Sequence, residues 1–236
     1  GENAGKELGN AENKGSKTFQ TTRQALVEST NITSYHVYQD LLTNKGSDQF
    51  AYDNYLKKMN YPSSNTWGVE SAPLGTTNVT TLTEVNGFQT LANGGVYQQG
   101  YLIDSITDST GKEIYKHKEA PVQVYSKATA SIMNDLMRSV INEQHTTPFK
   151  TILSGVNYQL STADWVGKTG TTDNYADNWL IVSTPSITLG TWTGRDDNKP
   201  MNDGAGNRTA TYMAYLAGRI YQVNPNVFGE NEEFEL

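Results

Sequence analysis

Residues 165–194 read WVGKTGTTDNYADNWLIVSTPSITLGTWTG, and this stretch decides the fold. Apolar and polar residues alternate with period two in three short runs, Trp165–Thr172, Trp179–Ser183 and Ile187–Gly194. Asp173-Asn174 and Thr184-Pro185-Ser186 separate them, so the spacing predicts three sequential antiparallel strands. The first run is chemically unusual. Glycine weakens a strand interior and marks a place where a ligand or another backbone comes close, and here Gly170 sits between Thr169 and Thr171. Alternation places the hydroxyls of Thr169 and Thr171 on one face, and the long Lys168 side chain reaches the same cleft from beneath. A cation with two hydroxyls is a good receptor for a carboxylate. The competing reading is an edge strand whose lysine guards against aggregation.

Upstream of the strands the pattern is helical. Thr21-x-x-Gln24 fits a capping box that opens a short helix at Ala25 and Leu26, and the chain must turn at Ser29-Thr30-Asn31. Thr33 caps a second helix carrying Val37, Tyr38, Leu41 and Leu42, stopped by Asn44-Lys45-Gly46. Phe50, Tyr52, Tyr55, Leu56 and Met59 suggest a third, ended by Tyr61-Pro62. A second capping box, Thr81-Leu82-Thr83-Glu84, opens a helix that ends at Asn93-Gly94-Gly95. A hairpin turning at Asp108–Gly111 has Tyr101, Ile103 and Ile106 on one arm and Ile114 and Tyr115 on the other. Ile132, Met133, Leu136, Met137, Val140 and Ile141 stripe a buried helix over 127–142. Residues 143–160 read as a polar loop, and 209–221 as a terminal helix. Residues 1–17 read as a loop or frayed start, 18–222 as the domain, and 223–236 as an acidic, solvated tail. Helices, then a strand meander, then a helix give an α+β class: an antiparallel sheet flanked by helices.

Composition excludes several function classes. The chain has 236 residues, no cysteine and a formal net charge of −7. Thiol catalysis, thiolate metal sites and disulfides are therefore excluded. The acidic balance disfavours a nucleic-acid partner, because counterion release needs clustered Lys and Arg. No stretch is long and apolar enough to span a membrane, so no direct membrane contact is expected. His36, His117 and His145 lack ligand spacing, and no metal site is expected. Asp177 pins a turn, Asp196-Asp197 are surface residues, and Gly94-Gly95 lacks the setting of a nucleotide loop.

Ser29 and Asn31 alone are ordinary turn residues. Together with Lys168-Thr169-Gly170, in that order, they match the Ser-x-Asn and Lys-Thr-Gly elements of penicillin-binding proteins and β-lactamases. Residues from about 18 to about 222 resemble the transpeptidase domain of class A penicillin-binding proteins. The matching stretches are Ala25–Ile32, Pro73–Gly75 with Asn78–Thr80, Leu91–Gly95, Gly167–Thr172, Asp177–Trp179 and Trp192–Asn198.

The resemblance implies a transpeptidase fold of the serine β-lactamase and D,D-peptidase type, present in part. It implies an acyl transfer needing no cofactor. A serine attacks a D-alanyl-D-alanine stem peptide of peptidoglycan, and the acyl group passes to an amine. By that resemblance Ser29 shuttles a proton, Asn31 binds the donor peptide, and Lys168 orients Ser29 and attracts the terminal carboxylate. Thr169, Gly170 and Thr171 bind substrate, the Thr171 N–H as one arm of an oxyanion hole. β-Lactam antibiotics are expected as ligands. The family's Ser-x-x-Lys nucleophile has no match between Gly1 and Ser29. The one literal match, Ser109-Thr110-Gly111-Lys112, follows Ser29 and lies at a hairpin turn, so it is rejected. An upstream segment carrying that serine is expected as partner and as the link to the outer face of a bacterial membrane. The alternatives are a β-lactamase-like hydrolase and a non-catalytic penicillin-recognising module.

Overall fold

The structure, a computed structural model, describes Gly9 and residues 19–143, 147–201 and 205–235. Expectations for 1–17 other than Gly9, and for His145, lie outside the described residues.

Three strands form the central sheet: β5 (Val166–Thr171), β6 (Asp177–Ser183) and β7 (Thr188–Gly194), in the order β5-β6-β7 and antiparallel throughout. Two pairs, β1 (Val96–Tyr97) with β4 (Val122–Gln123) and β2 (Ser105–Thr107) with β3 (Glu113–Lys116), stand apart as small ribbons. Lys168 lies opposite Ile181 and Thr171 opposite Asn178, so β5 is an edge strand with its outer side unpaired by strand. This is the predicted meander, and it confirms the α+β class.

Helices cover both faces. On one side α4 (Thr81–Ala92) packs on β6 and β7, while α5 (Lys127–Asn142) packs on β5. On the other, α8 (Ala205–Val223) packs on β6 and β7, and α6 (Phe149–Val156) packs on α8. Leu180 and Val182 point to the α8 side, where Phe149, Leu153, Leu160, Trp165, Met213, Ala214, Ala217 and Phe228 form the main core. Small residues at 210, 214 and 217 let α8 approach closely, which is why a helix of modest hydropathy is buried along one side. Met137, Val166 and Phe234 form a second cluster, backed by Leu26, Phe88 and Leu91.

The first helix, α1 (Thr22–Val27), has the predicted capping box: Thr21 accepts from the Gln24 N–H, and the Gln24 side chain accepts from the Thr21 N–H. The second helix, α2, is Asn31–Lys45, so Thr33 lies in its first turn and Thr30 is the residue before it. Gly46 closes it in the left-handed region, as the glycine stop implies. The predicted third helix is split into α3 (Phe50–Asn54) and a 3-10 turn, Leu56–Met59. The cap of α4 is Thr80 rather than Thr81, and Glu84 instead accepts from the Tyr61 hydroxyl at 3.1 Å.

Three expectations are overturned. Residues 149–161 are α6 followed by α7 (Tyr158–Ser161), not loop; Phe149, Leu153 and Leu160 are fully buried, and tertiary burial stabilises helices too short to announce themselves by period. The acidic end is docked rather than solvated. Phe234 is 7% exposed, its N–H donates to Asp164 at 2.9 Å, and Lys127 pairs with Glu235. A tail charge count hides one anchoring aromatic. Ile132, placed on the buried stripe of α5, is 64% exposed; Ala130, Asn134, Met137, Val140 and Ile141 are the buried face.

Gly167 has no room for a side chain: an added Cβ would stand 2.4 Å from the Ile181 carbonyl oxygen on β6 and 3.1 Å from Ile141 on α5. Gly167→Ala is expected to destabilise by about 1–3 kcal/mol, because backbone on one side cannot yield. An unchanged urea midpoint would show that the strand pair opens freely there.

Candidate active site

The site is built where α1 runs into α2. Ala25 and Val27 are buried, and the chain after α1 folds back on them: the Ser29 N–H donates to Leu26 O at 3.2 Å and the Thr30 N–H to Ala25 O at 3.0 Å. This turn holds Ser29 at φ 53°, the left-handed region that costs a non-glycine residue about 1–2 kcal/mol. Thr30 is 5% exposed and locks the turn from beneath, its hydroxyl donating to Ala25 O. The strain is the consequence of presenting the Ser29 hydroxyl outward, toward β5.

Lys168 meets it there. Its Nζ donates to Ser29 Oγ at 2.9 Å and to the Thr169 carbonyl at 3.0 Å. No carboxylate pairs with this ammonium among the described residues. Burial alone acts on it, and disfavouring the charged form pushes it down to about 8. Because the lysine donates, the Ser29 hydroxyl hydrogen is left to point into the cleft. A guard lysine on an exposed edge would be solvated; this one is half-buried and aimed at a hydroxyl, which sets aside the edge-protection reading.

The edge of β5 has a fixed phase. The Thr172 N–H donates to Asp177 O at 3.0 Å, so Lys168, Gly170 and Thr172 turn their backbone groups toward β6. Thr169 and Thr171 turn theirs to the free edge. Thr169 is half-buried and Thr171 exposed. Gly170 lies against Trp179 on β6, where an added Cβ would stand 3.3 Å from the Trp179 Cβ.

Asn31, at the start of α2, donates its amide to the Gly9 carbonyl at 3.1 Å. The turn after β5 is pinned as expected: Asp177 accepts from Thr172 Oγ1 at 2.9 Å and from Trp192 Nε1 at 2.8 Å. A cavity of about 300 Å³ opens at this end of β5, lined by Thr172, Asp173, Asn174, Asp177, Asn198 and Pro200. Asp197 is held by Arg195 and Lys199, a surface arrangement that keeps its carboxyl below the usual range. Among the described residues no group of three His, Cys, Asp or Glu side chains is placed to hold a metal ion.

Sequence reasoning named Ser29, Asn31, Lys168, Thr169, Gly170 and Thr171. The structure joins Ser29 directly to Lys168 and puts Thr169 and Thr171 on the same free edge. The ion pairs of Arg23, Asp135, Arg138 and Asp164 were not foreseen in the sequence, because their partners lie up to 116 positions away with no motif to connect them.

Comparison with known proteins agrees with this geometry. The profile of the penicillin-binding protein transpeptidase domain matches residues 2–185. Penicillin-binding protein 2D of Bacillus subtilis is 30% identical over 189 residues, covering 77% of this chain and 25% of that protein. Penicillin-binding protein 1A of Aquifex aeolicus is 30% identical over 174 residues, covering 70% and 21%. The chain thus spans about a quarter of the length of such relatives. In fold it is similar to penicillin-binding protein 1A of Haemophilus influenzae, with a TM-score of 0.74 at 17% identity over 97% of this chain and 37% of that one. It is also similar to the imipenem acyl-enzyme of Mycobacterium tuberculosis penicillin-binding protein A, with a TM-score of 0.66 at 17% identity over 92% and 51%.

The lysine makes a pH prediction. The unfolded chain carries Lys168 with a pKa of about 10.4; folded, it titrates near 8. Between these values the unfolded state binds more protons, so stability rises with pH in that window, and below it the folded state bears a poorly solvated charge. Any stability advantage of Lys168→Met over the parent chain should be largest below pH 8 and shrink toward pH 10. Denaturant unfolding near pH 7 and near pH 9.5 measures it; an advantage independent of pH would show Lys168 to be solvated. With the Ser29–Lys168 contact made, the strand edge open beside it and the profile matched over residues 2–185 of the chain, the chain belongs to the penicillin-binding protein transpeptidase family.

Proposed function

We propose that this chain is the C-terminal portion of a D,D-transpeptidase catalytic domain that cross-links peptidoglycan stem peptides through a serine acyl-enzyme. The observation that carries the proposal is the 2.9 Å contact from Lys168 Nζ to Ser29 Oγ, with the lysine depressed to about 8. A lysine near neutrality can hold or release a proton at a serine hydroxyl, which is what general acid–base work requires.

In this reading the attacking serine comes from a Ser-x-x-Lys segment outside these 236 residues. Its Oγ adds to the carbonyl carbon of the penultimate D-alanine as its hydroxyl proton passes to the lysine of the same segment, and the negative oxygen that forms is met by the Thr171 N–H on the open edge of β5. Ser29 Oγ–H gives its proton to the leaving D-alanine nitrogen as the C–N bond breaks, and Lys168 resupplies the Ser29 oxygen. An acceptor amine then attacks the acyl-enzyme, its proton passes through Ser29 to restore Lys168, and the serine is freed as its oxygen takes back the proton held by the lysine of its own segment. Thr169 and Thr171 hydroxyls with the Lys168 charge hold the terminal carboxylate. Asn31, whose amide already donates to a backbone carbonyl at Gly9, does the same for the donor peptide. With its carboxyl end at Lys168, an extended donor running antiparallel to β5 places its upstream residues toward the cavity beside Thr172.

β-Lactams act as ligands in this reading by presenting a strained amide and a carboxylate to the same groups. The working place is the outer face of a bacterial membrane, reached through the upstream segment; among the described residues no helix is long and apolar enough to cross a membrane.

In the parent protein, Lys168→Ala and Ser29→Ala are each expected to slow acylation by a fluorescent penicillin by about 100-fold or more. Thermal stability should fall by no more than about 1 kcal/mol. Equal losses of rate and stability would make Lys168 structural. Nitrocefin should give a stoichiometric burst; steady turnover would instead establish a hydrolase.

A further inference from the structure

A continuous run of charged groups crosses the molecule behind the site. Arg23, on α1, donates through Nη1 to Asp135 O at 2.8 Å and to Ser139 Oγ at 2.6 Å, both on α5, and through Nη2 to the Asp135 carboxylate. Arg138, on the next turn of α5, donates Nη1 to Asp135 Oδ1 at 3.0 Å. Its Nε and Nη2 form a fork on both oxygens of Asp164, at 2.7 Å each. Asp164 precedes β5, and its Oδ2 also accepts the Phe234 N–H at 2.9 Å.

The run goes from half-exposed at its Arg23–Asp135 end, where the side chains are 42% and 33% exposed, to shielded at its Arg138–Asp164 end. The Asp164 side chain is 13% exposed and that of Arg138 22%, whereas the pairs of Lys116 and Lys127 stand in solvent and contribute little. Burial raises the Asp164 carboxyl, yet Arg138 and the Phe234 N–H outweigh it and hold it below the usual range. A forked arginine fixes direction as well as distance.

Both halves of the site are tied to this run. Arg23 lies on the helix that ends just before Ser29, and Asp164 stands just ahead of the strand that bears Lys168. We infer that Arg23, Asp135, Arg138 and Asp164 are positioning residues: they seat α1 and the start of β5 on one common element, α5, and so set the reach between Ser29 and Lys168. Loosening the Arg23 end lets α1, and the strained turn after it, drift from β5. Ser29 Oγ then leaves the lysine, and water enters between them.

The inference rests on the acyl-transfer reading for its consequence, but its test is read without substrate. Lysines of the 236-residue chain are labelled with carbon-13 at Cε and titrated by NMR, with Lys168→Arg used to assign the signal. Arg23→Gln is expected to move the Lys168 midpoint upward by about one pH unit or more, toward the ordinary lysine value of about 10.4. Ser139→Ala, which removes one acceptor and leaves the carboxylate pair, should move it in the same direction by less. Arg23→Lys should bring it part of the way back. Asp197→Asn, which breaks a remote surface pair, should leave it in place. If Arg23→Gln lowers the melting temperature while the Lys168 midpoint stays put, the run is merely structural and the inference fails. If Arg23→Gln does not fold, Ser139→Ala decides by the same criterion. A midpoint that moves as expected in a chain whose parent protein does not acylate would sink the acyl-transfer reading and leave the positioning intact.

Discussion

An ammonium with no carboxylate beside it among the described residues, resting on a serine hydroxyl, is the contact on which the rest of this molecule turns. Such a contact is unfavourable to assemble, since burial acts against the charge and the serine must be held in a left-handed backbone conformation. It persists because both ends are over-determined. Thr30 and the carbonyls of Ala25 and Leu26 fix the serine turn, and the β5–β6 ladder fixes the lysine. The same arrangement is what the proposed chemistry draws on: a lysine lowered to about 8 beside a serine hydroxyl.

The sheet gives this pair its surroundings. Because β5 is an edge strand, alternate peptide groups face open space, and an extended peptide can be received as an added strand. Helices of both layers pack against the sheet and back that edge. The Gly167 contact with Ile181 leaves no slack under it. The cavity at the far end of the edge opens beside Thr172, past the residues proposed to hold a carboxylate.

The sequence made parts of this legible. The period-two runs from Trp165 to Gly194 located all three strands, and the Thr21–Gln24 box located the first helix, because both signals are local and repeat within a few residues. Ser29, Asn31 and Lys168–Thr171 were identifiable as a set through family order. The helices of 149–161 were not legible, since their burial comes from α8 and β6, far along the chain. Nor was the docking of Phe234, a single aromatic among five nearby carboxylates and amides that read as solvated.

What the amino-acid order determined by itself is therefore the inventory: strand periods, helix caps, the absence of thiol chemistry, and the residue types able to grip an anionic peptide end. What only the tertiary structure decided is the state of those residues. A lysine is poised only when its water is removed, and removal depends on the packing of α1, α5 and β5 around it. A serine is a proton relay only when a nitrogen 139 positions away comes to 2.9 Å. Neither quantity is a property of a stretch of sequence, because desolvation and distance are set by segments that meet only after the chain has folded.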